Sequence, residues 1–161
     1  MNYYTVMANY NEWMNQKLYA LCADLPDTER QLDRGAFFKS IHGTLNHILI
    51  GDLMWLGRFT LQQFAGKVSD ELYSDFSELQ AERERLDRTI VTWVQNLTPD
   101  LLEQTLTYTS AIDRKTRTLP RWLLLTHMFN HQTHHRGQLT TLLSQRGLDP
   151  GVTDIPWMIE G

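Results

Sequence analysis

Apolar residues recur along the chain at steps of three and four. Over residues 2–24, Tyr3, Met7, Tyr10, Met14, Leu18 and Leu21 follow this spacing, with Asn9, Asn11, Glu12, Asn15 and Gln16 between them. The pattern predicts an amphipathic helix whose Tyr and Met stripe packs into a core. Leu25-Pro26-Asp27 stops it, and the polar stretch 26–38, with Gly35, reads as a loop. A second helix is expected over 39–64, with Ser40 as cap or first-turn residue. Its broad apolar face carries Ile41, Leu45, Ile48, Leu49, Trp55, Leu56 and Phe59. Asp52 projects into that face, where a carboxylate needs a partner. A third helix begins at Ser74-Asp75 with Glu78 and keeps Phe76, Leu79, Leu86, Ile90, Val94 and Leu97 in register to about residue 97. Arg83 occupies a stripe position on it. Asp52 and Arg83 are expected to pair, within about 6 Å.

Thr98-Pro99-Asp100 opens a short turn or helix. Over 104–118 the period changes to two: Thr105, Thr107 and Thr109 alternate with Leu106 and Tyr108, a turn follows at 111–114, and Thr116 to Leu119 completes a small β-hairpin. Pro120 starts the fourth helix, which is expected to run to about Arg146 and end at Gly147. Leu124, Met128, Leu139, Leu142 and Leu143 define its buried face, with His131 and His135 on the same face and His127 and His134 at its edge. Residues 148–161 lack helical periodicity. Their apolar part, Ile155 to Ile159, is expected to pack on the bundle or on a second subunit. The expected fold is all-α: a single-domain four-helix bundle with a long crossover and a small β-hairpin between the third and fourth helices.

Composition narrows the function. The 161 residues are 42% hydrophobic and 21% charged, an ordinary globular balance. A net charge of −4 with no basic patch argues against nucleic acid. No apolar run approaches the ~20 residues of a membrane span. The start lacks a secretory signal, and the lone Cys22, read as a buried structural thiol, fits a reducing cytoplasm. No serine–histidine–acid arrangement and no glycine-rich phosphate loop is legible.

The histidines carry the chemistry. Four of the six lie between positions 127 and 135. His131 and His135 are four apart, so both rings share one helix face about one turn apart and can close on one metal ion. His127 cannot join them, because the eight residues from His127 to His135 span about 12 Å of straight helix, too far for the outer rings to share one ion. His134 diverges from its neighbour. The candidate third ligand is His47 on the second helix, flanked by Gly43 and Gly51, whose missing side chains imply close approach by a ligand or a neighbouring helix. His42 points elsewhere and reads as a surface or capping residue. Arg136 reads as a structural ion-pair partner. Three imidazoles leave an open coordination position of the kind used for Lewis-acid chemistry.

The run Asn130-His131-Gln132-Thr133-His134-His135-Arg136-Gly137-Gln138, the stretch Leu45-Asn46-His47-Ile48-Leu49 with Asp52 and Trp55, and Gly147 to Asp154 together resemble the DinB/YfiT-like damage-inducible family. The resemblance covers essentially the whole chain. It implies a four-helix bundle, often a homodimer, in which His47, His131 and His135 hold a divalent metal, commonly nickel or zinc, with iron and copper also suited to imidazole. Relatives of this kind include bacillithiol and mycothiol S-transferases and a mycothiol-dependent maleylpyruvate isomerase. Two functions are therefore expected to compete. One is a metal-dependent transferase or related isomerase acting on a low-molecular-weight thiol and an electrophile. The other is a non-enzymatic metal-binding bundle that senses, stores or binds a partner in a stress response.

Overall fold

Helix α1, Tyr3–Ala23, buries Met7, Tyr10, Met14 and Leu18 as its stripe predicts. In this computed structural model residues 3–62, 64–67 and 71–159 are described; residues 2, 63, 160 and 161, which the sequence assigns to two helices and the tail, lie outside them. Three features of α1 depart from the sequence reading. Tyr3 is exposed, while Asn11 and Asn15, expected on the polar face, are buried at 1% and 3%. The stretch after α1 is also not all loop. Asp27–Arg30 forms a short helix, α2, with Asp27 and Glu29 at its positive end. Arg30 folds back so that Nη1 donates to the Cys22 carbonyl at 2.8 Å, and its guanidinium lies 4.3 Å from the centre of the Phe76 ring. An arginine thus satisfies carbonyls that the end of α1 leaves open.

Helix α3, Ile41–Thr60, is capped by Ser40, whose side chain accepts from the Gly43 amide. It ends four residues before the expected limit, because Leu61 turns into the left-handed region at φ 60°. Helix α4, Phe76–Val94, starts on the Asp75 cap, which accepts from the Glu78 amide, and stops short of Leu97. Thr98 caps the five-residue α5, Pro99–Glu103. Strands β1, Thr105–Thr109, and β2, Thr116–Pro120, pair antiparallel with Thr107 opposite Thr118. The hairpin rests on α3 through Tyr108, whose ring meets Trp55 edge-on at 5.2 Å. Helix α6, Arg121–Ser144, follows, and Gly147 takes φ +75° just past its end, as a C′ glycine does. The chain then returns to α1, where Tyr10 donates to the Thr153 carbonyl at 2.6 Å. A 3-10 turn, Ile155–Met158, packs Ile155 and Met158 inward and leaves Trp157 half exposed. None of the described helices is long and apolar enough to cross a membrane.

The molecule is thus mostly helical, a four-helix bundle of α1, α3, α4 and α6 with a small hairpin ahead of the last helix. α1 packs chiefly on α4, and α3 on α6. Leu18, Leu45, Leu49, Leu79, Leu86, Ile90, Leu125, Met128, Phe129 and Leu139 fill the space between them. A polar layer crosses this core. Arg83 donates to Asp52 at 2.6 Å and to Asp87 at 2.7 Å, Gln132 donates to the other Asp52 oxygen at 2.5 Å, and Asn15 donates to both oxygens of Asp87. The pairing of Asp52 with Arg83 expected from the sequence is therefore present. Burial lifts the Asp52 carboxyl above its usual range, against the pull of Arg83 and Gln132. Two carboxylates around one guanidinium hold Arg83 firmly charged. The layer joins all four long helices and sets their mutual register.

Candidate metal centre

Gly51 on α3 lies against His131 on α6. A methyl group added at Gly51 would stand 2.8 Å from His131 Cε1, so only glycine lets the ring pass this close. Added at Gly43, the same group would run into the Phe38 carbonyl. The two glycines that bracket His47 are thus explained by a neighbouring helix on one side and a loop on the other. Between them His47 projects toward α6, and its Nε2 stands 3.1 Å from Nε2 of His131 and 3.2 Å from Nε2 of His135. Each of the three residues offers one ring nitrogen, all within 4.8 Å of one another, in an arrangement able to hold a metal ion. His47 and His135 are buried and His131 is partly so.

The donor chemistry fits a cation. Nδ1 of His135 lies 2.8 Å from the Gln138 carbonyl oxygen, so Nδ1 carries the proton and Nε2 keeps a lone pair aimed at the cluster. The amide nitrogen of Gln138 donates to Nε2 of His134 at 3.3 Å, which fixes the orientation of that amide. A proton on Nε2 of His47 satisfies at most one of its two neighbours, leaving ring nitrogens face to face that a shared electrophile would satisfy together. Burial, and then the adjacent His135 and His47, push the His131 pKa down to about 3, which keeps this ring neutral and available as a ligand. Burial also lowers that of His135.

Phe38 was not singled out by its sequence, since nothing in a polar loop marks one aromatic as special. Its backbone sits in a tight turn in which Lys39 adopts φ 65° and donates to the Ala36 carbonyl. This turn lays the Phe38 ring flat on His47, with centroids 3.6 Å apart, and edge-on to His135. The remaining histidines sort themselves by face. His42 is a correction to the sequence reading: it is 2% exposed, and its Nε2 lies 2.8 Å from the Tyr73 carbonyl oxygen. One turn on, Asn46 donates to the same carbonyl and accepts from the Leu72 and Tyr73 amides. Together they pin the chain ahead of α4 to the flank of α3. His127 is exposed with its ring edge-on to Trp55, and His134 is exposed as well. Arg136 is corrected too. It is buried, and donates to the Asn11 side chain beneath the Tyr10 ring; among the described residues no carboxylate pairs with it.

The three imidazoles line a cavity of about 560 Å³. Its walls are Phe38, Met54, Trp55 and Tyr108, and Phe37 and Ile112 stand at its rim, 85% and 92% exposed. This volume is in the range of small-molecule sites.

Fold and site together define a class: a helical bundle with a hairpin before its last long helix and three convergent imidazoles from two helices. The chain belongs to the DinB family, whose sequence model matches residues 1–161. It is similar to Protein DinB of Bacillus subtilis (strain 168), 26% identical over 157 residues that cover 90% of this chain and 87% of that protein. A crystal structure of a DinB-like protein from Bacillus cereus ATCC 10987 shares the fold at a TM-score of 0.64, with 22% identity over 87% of this chain and 91% of that one.

Proposed function

We propose that this DinB-family protein holds a divalent metal ion, nickel or zinc, through His47, His131 and His135, and that it is a transferase for a low-molecular-weight thiol. The observation that carries the reading is the meeting of three ring nitrogens, His47 Nε2 at 3.1 and 3.2 Å from the other two, on the wall of a ligand-sized cavity. The chemistry such an ion supplies when bound is Lewis acidity toward sulfur, which lowers a thiol's pKa. The chain's own residues prepare the site. Gln138 holds the His135 ring in the tautomer that presents Nε2. Phe38 covers one face of His47 and keeps bulk water from it. The apolar walls give a small organic partner somewhere to lie. The free, buried Cys22 agrees with a cytoplasmic setting. The reading extends to a homodimer, supported by the exposed Val152, Trp157 and Ile159 beside the 3-10 turn.

A second reading, a non-enzymatic metal-binding bundle active in a stress response, is favoured by one feature: among the described residues, no carboxylate lines the cavity to serve as a general base. Elemental analysis of untagged protein, beside His47→Ala, His131→Ala and His135→Ala, tests the common part. About one ion per chain in the parent and a loss in each variant is the expected result; unchanged metal in the His47 variant overturns the assignment. Thiol conjugation by the loaded protein then separates the two readings.

A further inference from the structure

Arg58 lies on the same wall of α3 as Gly51, Met54 and Trp55, and faces the same cavity as the three histidines. Its guanidinium stands 4.5 Å from the centre of the Trp55 ring and 4.8 Å from that of Tyr108. One hydrogen bond, at 3.3 Å, goes to the neutral Thr109 carbonyl. No described carboxylate pairs with it. The other guanidinium of the cavity, Arg117, is already occupied, with two bonds to Asp113 at 2.9 and 2.6 Å. Arg58 is therefore a cation held in place by two aromatic faces, with donors left over, in a half-buried setting where its charge is poorly screened.

We propose that Arg58 forms an anion subsite of this cavity and receives the carboxylate of the small molecule whose reacting end lies at His47, His131 and His135. The inference rests on reading the cavity as a small-molecule site, and it names the chemical class of the occupant: an acid with an apolar body. Arginine suits a carboxylate because its planar fork gives two parallel charge-assisted bonds. Met54, Trp55, Tyr108 and the rim residues Phe37 and Ile112 take the apolar part. The spacing fits a metabolite. Gly51, which abuts His131, and Arg58 are two turns apart on α3, and the Arg58 side chain folds back over Trp55. Its guanidinium is thus roughly 5–10 Å along the helix from the level of His131. Either the thiol or its electrophilic partner can carry the carboxylate over such a span.

Calorimetric titration of the full-length protein, metal-loaded and after EDTA treatment, tests this with two probe pairs. Glutathione against its diethyl ester asks whether the thiol carries the acid. 4-Nitrobenzoate against 4-nitrobenzamide asks whether the electrophile does. Wild type is expected to favour the acid of one pair by about tenfold or more, the scale of one charge-assisted hydrogen bond. Arg58→Met keeps the apolar stem against Trp55 and Tyr108, and is expected to abolish that preference at unchanged metal content. Arg58→Lys is expected to keep part of it. Equal affinity for acid and neutral probe in both pairs overturns the proposal in wild type alone, and so does a preference that survives Arg58→Met. If 4-nitrobenzoate still discriminates while no preparation retains metal, the metal reading fails and the Arg58 subsite stands.

Discussion

Gln138 is three residues from a proposed ligand and touches no ligand atom that faces the cluster, yet it decides which nitrogen of His135 is available. Its carbonyl oxygen accepts a hydrogen bond from Nδ1, and its amide nitrogen is held in turn by His134. Partners of this kind are worth 10–100-fold in metal affinity. Gln138→Leu is therefore expected to weaken zinc binding by about that factor, in competition against a chromophoric chelator, with little change in helix content. An affinity equal to wild type would reduce Gln138 to a bystander. Cys22 illustrates the opposite case, a nucleophile by type that its surroundings silence. It is fully buried, and burial pushes its pKa up to about 12. A thiol reagent at pH 8 is expected to leave folded protein unlabelled and to modify one thiol per chain once urea unfolds it. Rapid labelling of native protein would contradict the packing around the end of α1.

At the scale of elements, α3 gives up helical propensity where the site requires it. Glycine costs about 1 kcal/mol against alanine inside a helix, so Gly51→Ala is favourable by propensity alone. The added methyl would press on His131 Cε1 at 2.8 Å, and that ring is the part able to yield. The expected outcome is a melting temperature of the metal-free protein at or near that of wild type, together with weakened metal binding. A variant with intact affinity would show that the two helices have slack. The elements themselves were mostly legible. The periodicities gave four long helices, the alternation of Thr with Leu and Tyr gave the hairpin, and Ser40, Asp75 and Thr98 cap their helices by side-chain oxygens. What misled was the polarity of Asn11, Asn15 and His42. A one-dimensional pattern scores them as solvent-facing, whereas here they are buried and find partners in Arg136, Asp87 and Tyr73.

At the scale of the whole molecule, the buried Asp52–Arg83–Asp87 layer is costly to disturb. Replacing Arg83 by Met removes the one cation between two buried carboxylates. Breaking such a group from one side costs about 3–5 kcal/mol, so urea unfolding of Arg83→Met is expected to show a loss of that order. A change under 1 kcal/mol would mean that the layer reorganises freely. Acid acts on the bundle through His131. In the unfolded chain this residue takes up a proton near the ordinary histidine value, in the folded chain only near pH 3. Between these values the unfolded state binds the extra proton, so stability of the metal-free protein is expected to decline as pH falls from about 6.5 toward 3. Because the raised Asp52 carboxyl acts in the opposite direction, the check is the comparison with His131→Gln: equal slopes in the two proteins across that window would contradict the burial of this ring.

The sequence by itself determined the four long helices, the hairpin, the candidate triad and the likeness to a family. Spacing along a helix fixes which side chains share a face, and His131 and His135 needed nothing more. It also marked His47, because glycines one turn to either side leave room that something must fill. Only the tertiary structure decided what fills it: the ring of His131 on one flank and the Phe38 turn on the other. It alone gave the stacking of Phe38, the orientation of Gln138 and an Arg58 left without a described carboxylate at the cavity wall. Those depend on distances between segments far apart in the chain, set by how the buried polar layer and the apolar core lock four helices together. No periodicity within a single segment encodes them.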